Sequence, residues 1–107
     1  MAYYAKLKKE QYRVFCVLGD GEMNEGSNWE AISFASHHKL SNLYFVIDKN
    51  NLQGCGFTKD VLSMDPLDER LRAFGCNVKQ VDGHSHEELY VSLGETSFSK
   101  PNAIIAT

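Results

Sequence analysis

The sequence predicts an α/β fold, a parallel β-sheet with crossover helices on both faces. Short apolar runs alternate with helical patterns along the 107 residues, and this alternation is typical of βαβ units. Three of the four runs are nearly continuous in apolar residues, as expected for strands covered on both faces. Polar loops follow the first two runs, at the end of a parallel sheet where ligands bind. One domain of this kind fits the length of the chain.

The four predicted strands are short runs of strand-forming residues. They are VFCVL (14–18), LYFVI (43–47), NVKQV (77–81) and AIIA (103–106). The NVKQV run is more polar than the others, so we expect it to lie nearer an edge of the sheet. Cys16, inside the first run, is predicted to be a small buried residue.

The first crossover segment, residues 25–40, is long enough to cross the sheet as a helix. Ser27 and Glu30 have the spacing of a capping box, which predicts that the helix begins there. Small and apolar side chains occupy most of the circumference of this segment, so we expect it to be deeply packed.

Three further segments carry helix signals. Residues 65–75 begin with Asp-Pro and stop at Gly75, as a helix does. Residues 85–88, SHEE, form a second capping box before the last strand. The opening residues 1–11 also have a helical pattern but no start signal, so we expect them to be the end of a longer helix.

The composition argues against two classes of partner. The net charge is −3 and the local basic cluster KLKKE, at 6–10, is typical of a solvated helix end, so we expect no nucleic-acid partner. No apolar run is long enough to span a bilayer and no signal-peptide pattern is present, so we expect no membrane partner. The three cysteines form no CxxC pair, which favours the reducing cytoplasm.

The loop GDGEMNEG after the first strand has the chemistry of a metal–phosphate site. Gly19 and Gly21 allow a sharp turn and a close approach to a ligand, and backbone N–H groups there are suited to phosphate oxygens. Asp20 between them would repel a phosphate unless a cation lay between the two. Mg²⁺ is the natural cation, with Ca²⁺ as a substitute, because both take oxygen ligands.

The loop DKNNLQGCG after the second strand supplies the missing ligands. If the two strands are neighbours, the side-chain carbonyl of Asn50 or Asn51 reaches the same cation, and a backbone carbonyl just beyond adds another oxygen. Either loop alone is ordinary turn chemistry. Together, with one helix between them, they favour a functional site. A nucleotide P-loop is excluded because no Gly-Lys-Ser/Thr follows the first strand.

The two loops resemble the thiamine diphosphate motif, and the thirty positions between Asp20 and Asn50 match the transketolase type. The stretches LGDGEMNEGSNWEAISFASHHKLSNLYFVIDKNNLQ and PLDERLRAFGCNVKQVDGHSHEEL look like transketolase. They are most similar to the N-terminal section of split, two-subunit bacterial transketolases. The resemblance covers nearly all of 1–107 and implies one partial thiamine diphosphate-binding domain, truncated at both ends.

The resemblance implies a role for individual residues. Asp20 and Asn50 correspond to side-chain ligands of the magnesium ion, and Leu52 to the residue that adds a backbone carbonyl, with Asn51 as the alternative if the loop shifts by one residue. Gly21 resembles the glycine whose N–H meets the diphosphate.

Two further residues of the first loop also receive roles from the resemblance. Gly19 supports the turn of the cofactor-binding loop, and Glu25 matches a glutamate of the carboxylate network at the dimer interface.

The same resemblance implies a transferase that moves a two-carbon ketol group from a ketose phosphate to an aldose phosphate, with sugar phosphates as substrates. The glutamate that activates the cofactor lies in a pyrimidine-binding domain or subunit, which is absent here, so we expect no activity without that partner. A homodimer or a heterotetramer is expected. The alternatives are a 1-deoxyxylulose 5-phosphate synthase, the alpha part of a 2-oxoacid dehydrogenase, or a non-catalytic assembly module.

Overall fold

The computed structural model is an α/β sheet protein. It describes residues 1–19, 22–23, 25–49, 52–53, 56–57, 66–94 and 99–107. The helices are α1 (Ala2–Leu7), α2 (Gly26–His37), α3 (Leu67–Ala73) and α4 (His86–Gly94). The strands are β1 (Val14–Gly19), β2 (Leu43–Asp48), β3 (Leu52–Gln53), β4 (Gly56–Phe57), β5 (Asn77–Val81) and β6 (Asn102–Ala106). No helix within these ranges is long and apolar enough to cross a membrane.

The main sheet has four parallel strands in the order β1-β2-β6-β5. This confirms the predicted parallel sheet and meets the condition that the first two strands are neighbours. The polar NVKQV run is β5, which lies at one end of the sheet within the described part of the chain, as its composition predicts. The short strands β3 and β4 form a separate antiparallel pair that the sequence analysis does not predict.

One face of the sheet is covered by α2 and α3, which enclose the main apolar core. The members of this core are Met23, Ile32, Phe45, Ile47, Leu67, Leu71, Cys76, Ala103 and Ile105. The fully buried Tyr44 points to the other face, because neighbouring side chains of a strand alternate. On that face Arg13 Nη1 donates to the carbonyl of Leu93 in α4 at 2.7 Å. The guanidinium lies over the Tyr44 ring at 5.5 Å. Helices therefore pack on both faces, as predicted.

Strand β1 is not covered on both faces, and this part of the prediction is wrong. Phe15 is 48% exposed, Val17 is 73% exposed, and Cys16 is an exposed free thiol rather than a buried residue. The physical reason is position, because β1 is the other end of the sheet within the described residues and has a strand neighbour on one side. Its apolar run is that of an internal strand, but its environment here is that of an edge.

Helix α2 differs from its prediction in two respects. It begins at Gly26 with Glu25 as N-cap, and no side chain caps it, so the Ser27–Glu30 capping box does not form. Deep packing is also wrong, because the buried residues of α2 are Ile32 and Ala35.

The helix signals at 65–75 and 85–88 are largely confirmed. Helix α1 lies within the helical pattern of residues 1–11, and its being the end of a longer helix stays a prediction. Helix α3 ends before Gly75, which has a φ of +94° that suits glycine. At the start of α4 the Glu88 N–H donates to Ser85 Oγ at 3.2 Å, which is one half of the predicted box. The Glu88 carboxylate completes the turn differently, because it accepts from the backbone N–H of Asp82 at 2.9 Å.

Candidate functional site

The two predicted ligand loops leave the sheet side by side. Gly19, the last residue of β1, is the register partner of Asp48, the last residue of β2. Adjacent parallel strands lie about 4.8 Å apart, so the chain enters both loops from neighbouring points at the same edge. In the sequence, Asp20 comes one residue after Gly19 and Asn50 two residues after Asp48.

The predicted ligands themselves lie mostly outside the described residues. Asp20, Gly21, Asn50 and Asn51 are in this group, so their roles as ligands stay predictions. The backbone of Leu52 is described and begins β3, where it pairs with Phe57. Its carbonyl as a magnesium ligand also stays a prediction.

Gly19 lies in regular strand geometry. A methyl group added at Gly19 would approach Glu22 Oε1 at 3.6 Å, which is ordinary van der Waals contact. The structure therefore gives no steric reason for glycine at this position, and its role in cofactor binding stays a prediction. The same contact shows that the Glu22 carboxylate lies beside the end of β1.

Residues Glu22 and Met23 are attached firmly to the first turn of α2. Trp29 Nε1 donates to the carbonyl of Met23 at 2.6 Å, and Asn28 Nδ2 donates to the carbonyl of Glu22. The Met23 side chain is fully buried in the main core. Neither Met23 nor Trp29 is among the site residues that the sequence predicts. The signal was present, because an apolar residue in an acidic loop and a tryptophan six positions later are a candidate anchor pair.

Glu25 stands at the junction of the loop and α2. It is exposed, its backbone is extended with φ −77° and ψ 124°, and its N–H donates to the carbonyl of Glu22 at 3.1 Å. An acidic side chain at a helix N-terminus interacts favourably with the helix dipole. Its exposure makes the carboxylate available to another chain, and its place in a dimer interface stays a prediction.

A third loop closes the same edge of the sheet beyond β5. The Gly83 N–H donates to the carbonyl of Thr107 at 2.8 Å, and the Thr107 N–H donates to the carbonyl of Val81 at 3.0 Å. A methyl group at Gly83 would lie 3.2 Å from Ala106 Cβ, so the turn packs tightly against β6. The His84 N–H donates to Asp82 Oδ1 at 2.9 Å, and His84 itself is exposed. These bonds join the turn to the carboxyl end of β6.

The fold is that of an α/β domain with a parallel sheet, and the two predicted ligand loops follow neighbouring strands at its carboxyl edge. Residues 3–107 match the family described as the transketolase thiamine diphosphate binding domain. The chain belongs to this family.

Relatives of known name support the assignment. One is a subunit of the apulose-4-phosphate transketolase of Actinobacillus succinogenes. The chain is 41% identical to it over 99% of its own length and covers 39% of that relative. It is 47% identical over 99% of its length to human transketolase and covers 17% of that protein. The chain thus spans a minor part of the curated relatives that it matches.

Solved structures agree with the fold. The transketolase of Campylobacter jejuni superposes with a TM-score of 0.82 at 32% identity, covering 91% of this chain and 15% of the other. A transketolase variant of Pichia stipitis superposes with a TM-score of 0.87 at 25% identity, covering 99% of this chain and 17% of the other.

Proposed function

We propose that this chain supplies the magnesium and diphosphate half of a transketolase. The observation that carries the proposal is the pairing of Gly19 with Asp48, from which the two loops leave the sheet together. The reaction is the transfer of a two-carbon ketol group from a ketose phosphate to an aldose phosphate. Membership of the transketolase family supports this choice of reaction.

Each predicted ligand has a chemical task in this function. The Asp20 carboxylate, the Asn50 amide oxygen and the Leu52 carbonyl hold Mg²⁺, with Ca²⁺ as a substitute. The N–H group of Gly21 donates to the diphosphate, and Gly19 supports the turn of this cofactor-binding loop. The cation neutralises the repulsion between the diphosphate and Asp20. Thiamine diphosphate supplies the carbon chemistry when bound, and the protein holds and orients it.

A pyrimidine-binding domain or subunit completes the site in this proposal. The relative from Actinobacillus succinogenes is itself one subunit of a transketolase, and the chain covers only 39% of it. We propose a homodimer or a heterotetramer in which Glu25 contributes to the contact between active sites. The chain alone is expected to be inactive.

The cellular location proposed for the chain is the cytoplasm. Its two described cysteines are free thiols, which favours a reducing compartment.

Titration calorimetry with Mg²⁺ and thiamine diphosphate tests the proposal on the chain combined with its pyrimidine-binding partner. Asp20→Ala is expected to weaken binding by roughly 100-fold or more, because losing even an outer-shell partner of a metal ligand typically costs about ten- to a hundredfold. Asp68→Ala is the matched control, since Asp68 pairs with Arg72 in α3 at 2.9 Å. Equal affinity of the wild type and Asp20→Ala would contradict the assignment.

A product assay separates the proposed reaction from those of other thiamine diphosphate enzymes. The same complex is given an aldose phosphate acceptor together with one of two donors, xylulose 5-phosphate or pyruvate. A transketolase consumes the ketose phosphate and leaves pyruvate untouched. Turnover of pyruvate alone would assign the chain to a synthase or to a 2-oxoacid dehydrogenase instead.

A further inference from the structure

The loop that carries Asp20 and Gly21 is fixed at its far end by side chains of α2. Met23 lies two residues beyond Gly21, and its carbonyl accepts the indole N–H of Trp29 at 2.6 Å. The preceding carbonyl, that of Glu22, accepts from Asn28 Nδ2. Two consecutive carbonyls of a short loop are thus held by consecutive residues of one helical turn.

The indole that makes this contact is itself held in place. Its ring centroid lies 4.7 Å from that of Phe74, the residue that follows α3, with the planes inclined at 54°. Trp29 also packs on the main core, where the side chain of Met23 is fully buried. A tryptophan side chain has few rotatable bonds. Because this ring packs against both Phe74 and the main core, its N–H points in a fixed direction.

We propose that Trp29 is a positioning residue for the cofactor loop. Its N–H holds the carbonyl of Met23 and so fixes the point at which the loop with the predicted ligands joins α2. This inference rests on the proposed function, but the anchoring step does not depend on it. Metal sites tolerate only small errors, because a ligand must lie within about 0.2 Å of its ideal distance. A fixed loop end therefore contributes directly to affinity.

Packing alone is the competing explanation for Trp29. The ring would then stabilise the core, and its N–H would bond to Met23 merely because a buried donor needs a partner. Trp29→Phe separates the two explanations, because it keeps an aromatic ring beside Phe74 and removes the donor. Phe34→Leu is the matched control, since Phe34 is an aromatic residue of α2 whose ring contacts Tyr3 and His38 instead of the loop.

The experiment compares these variants in the complex with the pyrimidine-binding partner. Hydrogen exchange followed by mass spectrometry, without ligand, measures the opening of the peptide that covers 19–25. One neutral hydrogen bond contributes about 0.5–1.5 kcal/mol, so Trp29→Phe is expected to speed exchange in this peptide by roughly two- to tenfold. Exchange in β2 and β6 is expected to stay at the wild-type rate, and Phe34→Leu to leave the loop peptide unchanged.

Cofactor titration supplies the second readout. With Mg²⁺ and thiamine diphosphate as the probe, Trp29→Phe is expected to raise the dissociation constant by roughly the same two- to tenfold factor. The turnover rate at saturating cofactor is expected to recover to the wild-type value. A general structural defect would instead lower the turnover rate and speed exchange in the core strands.

Each outcome decides the proposal. A folded Trp29→Phe with unchanged exchange at 19–25 overturns it, and so does faster exchange combined with unchanged affinity. Failure of the wild type to bind the cofactor would refute the proposed function, whereas the exchange data would still decide the anchoring. If Trp29→Phe does not fold, Asn28→Ala removes the neighbouring donor and is expected to change both readouts in the same direction.

Discussion

Gly75 lies where α3 meets α2, and replacing it with alanine should destabilise the fold strongly. Its φ of +94° belongs to the left-handed region, which side-chain-bearing residues rarely adopt. A methyl group there would lie 2.0 Å from Ser36 Oγ and 3.1 Å from Ser36 Cβ. The glycine also follows Phe74, which packs on Trp29, so a shift of this turn reaches the anchor of the cofactor loop.

Two costs add in Gly75→Ala. The left-handed backbone costs about 1–2 kcal/mol once a Cβ is present. The overlap with Ser36 costs about 1–2 kcal/mol more, as overpacking of a filled space does. A loss of about 3 kcal/mol is a large part of the stability of a domain of this size, and it lowers the melting temperature by roughly 12–24 °C.

Thermal and urea unfolding followed by circular dichroism measure the loss. Ser36→Ala combined with Gly75→Ala removes the Oγ overlap and should recover about 1 kcal/mol or more, while the backbone cost remains. Gly94→Ala is the control, because a methyl group there meets no atom within 4 Å. The reasoning would be refuted by a Gly75→Ala variant within about 0.5 kcal/mol of wild type. A double variant that recovers nothing would refute the overlap argument.

Two further predictions concern a helix cap and a buried thiol. Ser85→Ala removes the acceptor of the Glu88 N–H and should lower the free energy of unfolding by about 1 kcal/mol. A urea titration measures this loss, and an unchanged midpoint would show that the cap does not stabilise the fold. Burial raises the pKa of the Cys76 thiol from 9.0 to about 12. The unfolded chain then loses this proton first, so stability should fall as the pH rises above 9.0 toward 12. The midpoint difference between wild type and Cys76→Ala, followed from about pH 8 to about pH 10, measures this contribution, and a difference independent of pH would contradict it.

The sequence predicts the sheet better than it predicts the surroundings of each strand. Apolar runs, glycine stops and the polar character of β5 are local signals, and the structure agrees with them. The exposure of Phe15 and Val17 could not be predicted from the sequence. An apolar run indicates that a strand is usually covered on both faces, but it does not show which elements cover this strand.

The start of α2 shows a second limit of sequence reasoning. The Ser27–Glu30 spacing is a valid cap signal, but the helix begins earlier, at Gly26. The side chains of Asn28 and Trp29, in the first turn, bond to backbone carbonyls of the preceding loop, and no capping pattern predicts these bonds. For the candidate site, the sequence could indicate which two loops carry ligands, but not that their strands are neighbours, because strand order is a property of the folded sheet. It could not predict the contacts that hold one loop in place.

The register between β1 and β2 fixes where the two predicted ligand loops begin relative to each other. Because Gly19 is opposite Asp48, both loops begin at the same level of the sheet. One residue inserted into β2 would advance the second loop by about 3.3 Å and turn every following side chain to the other face. A residue added to the far end of α2 changes neither distance. Insertions and deletions among proteins with this pair of loops should therefore accumulate at the amino end of the sheet, where they leave the relative position of the two loops unchanged.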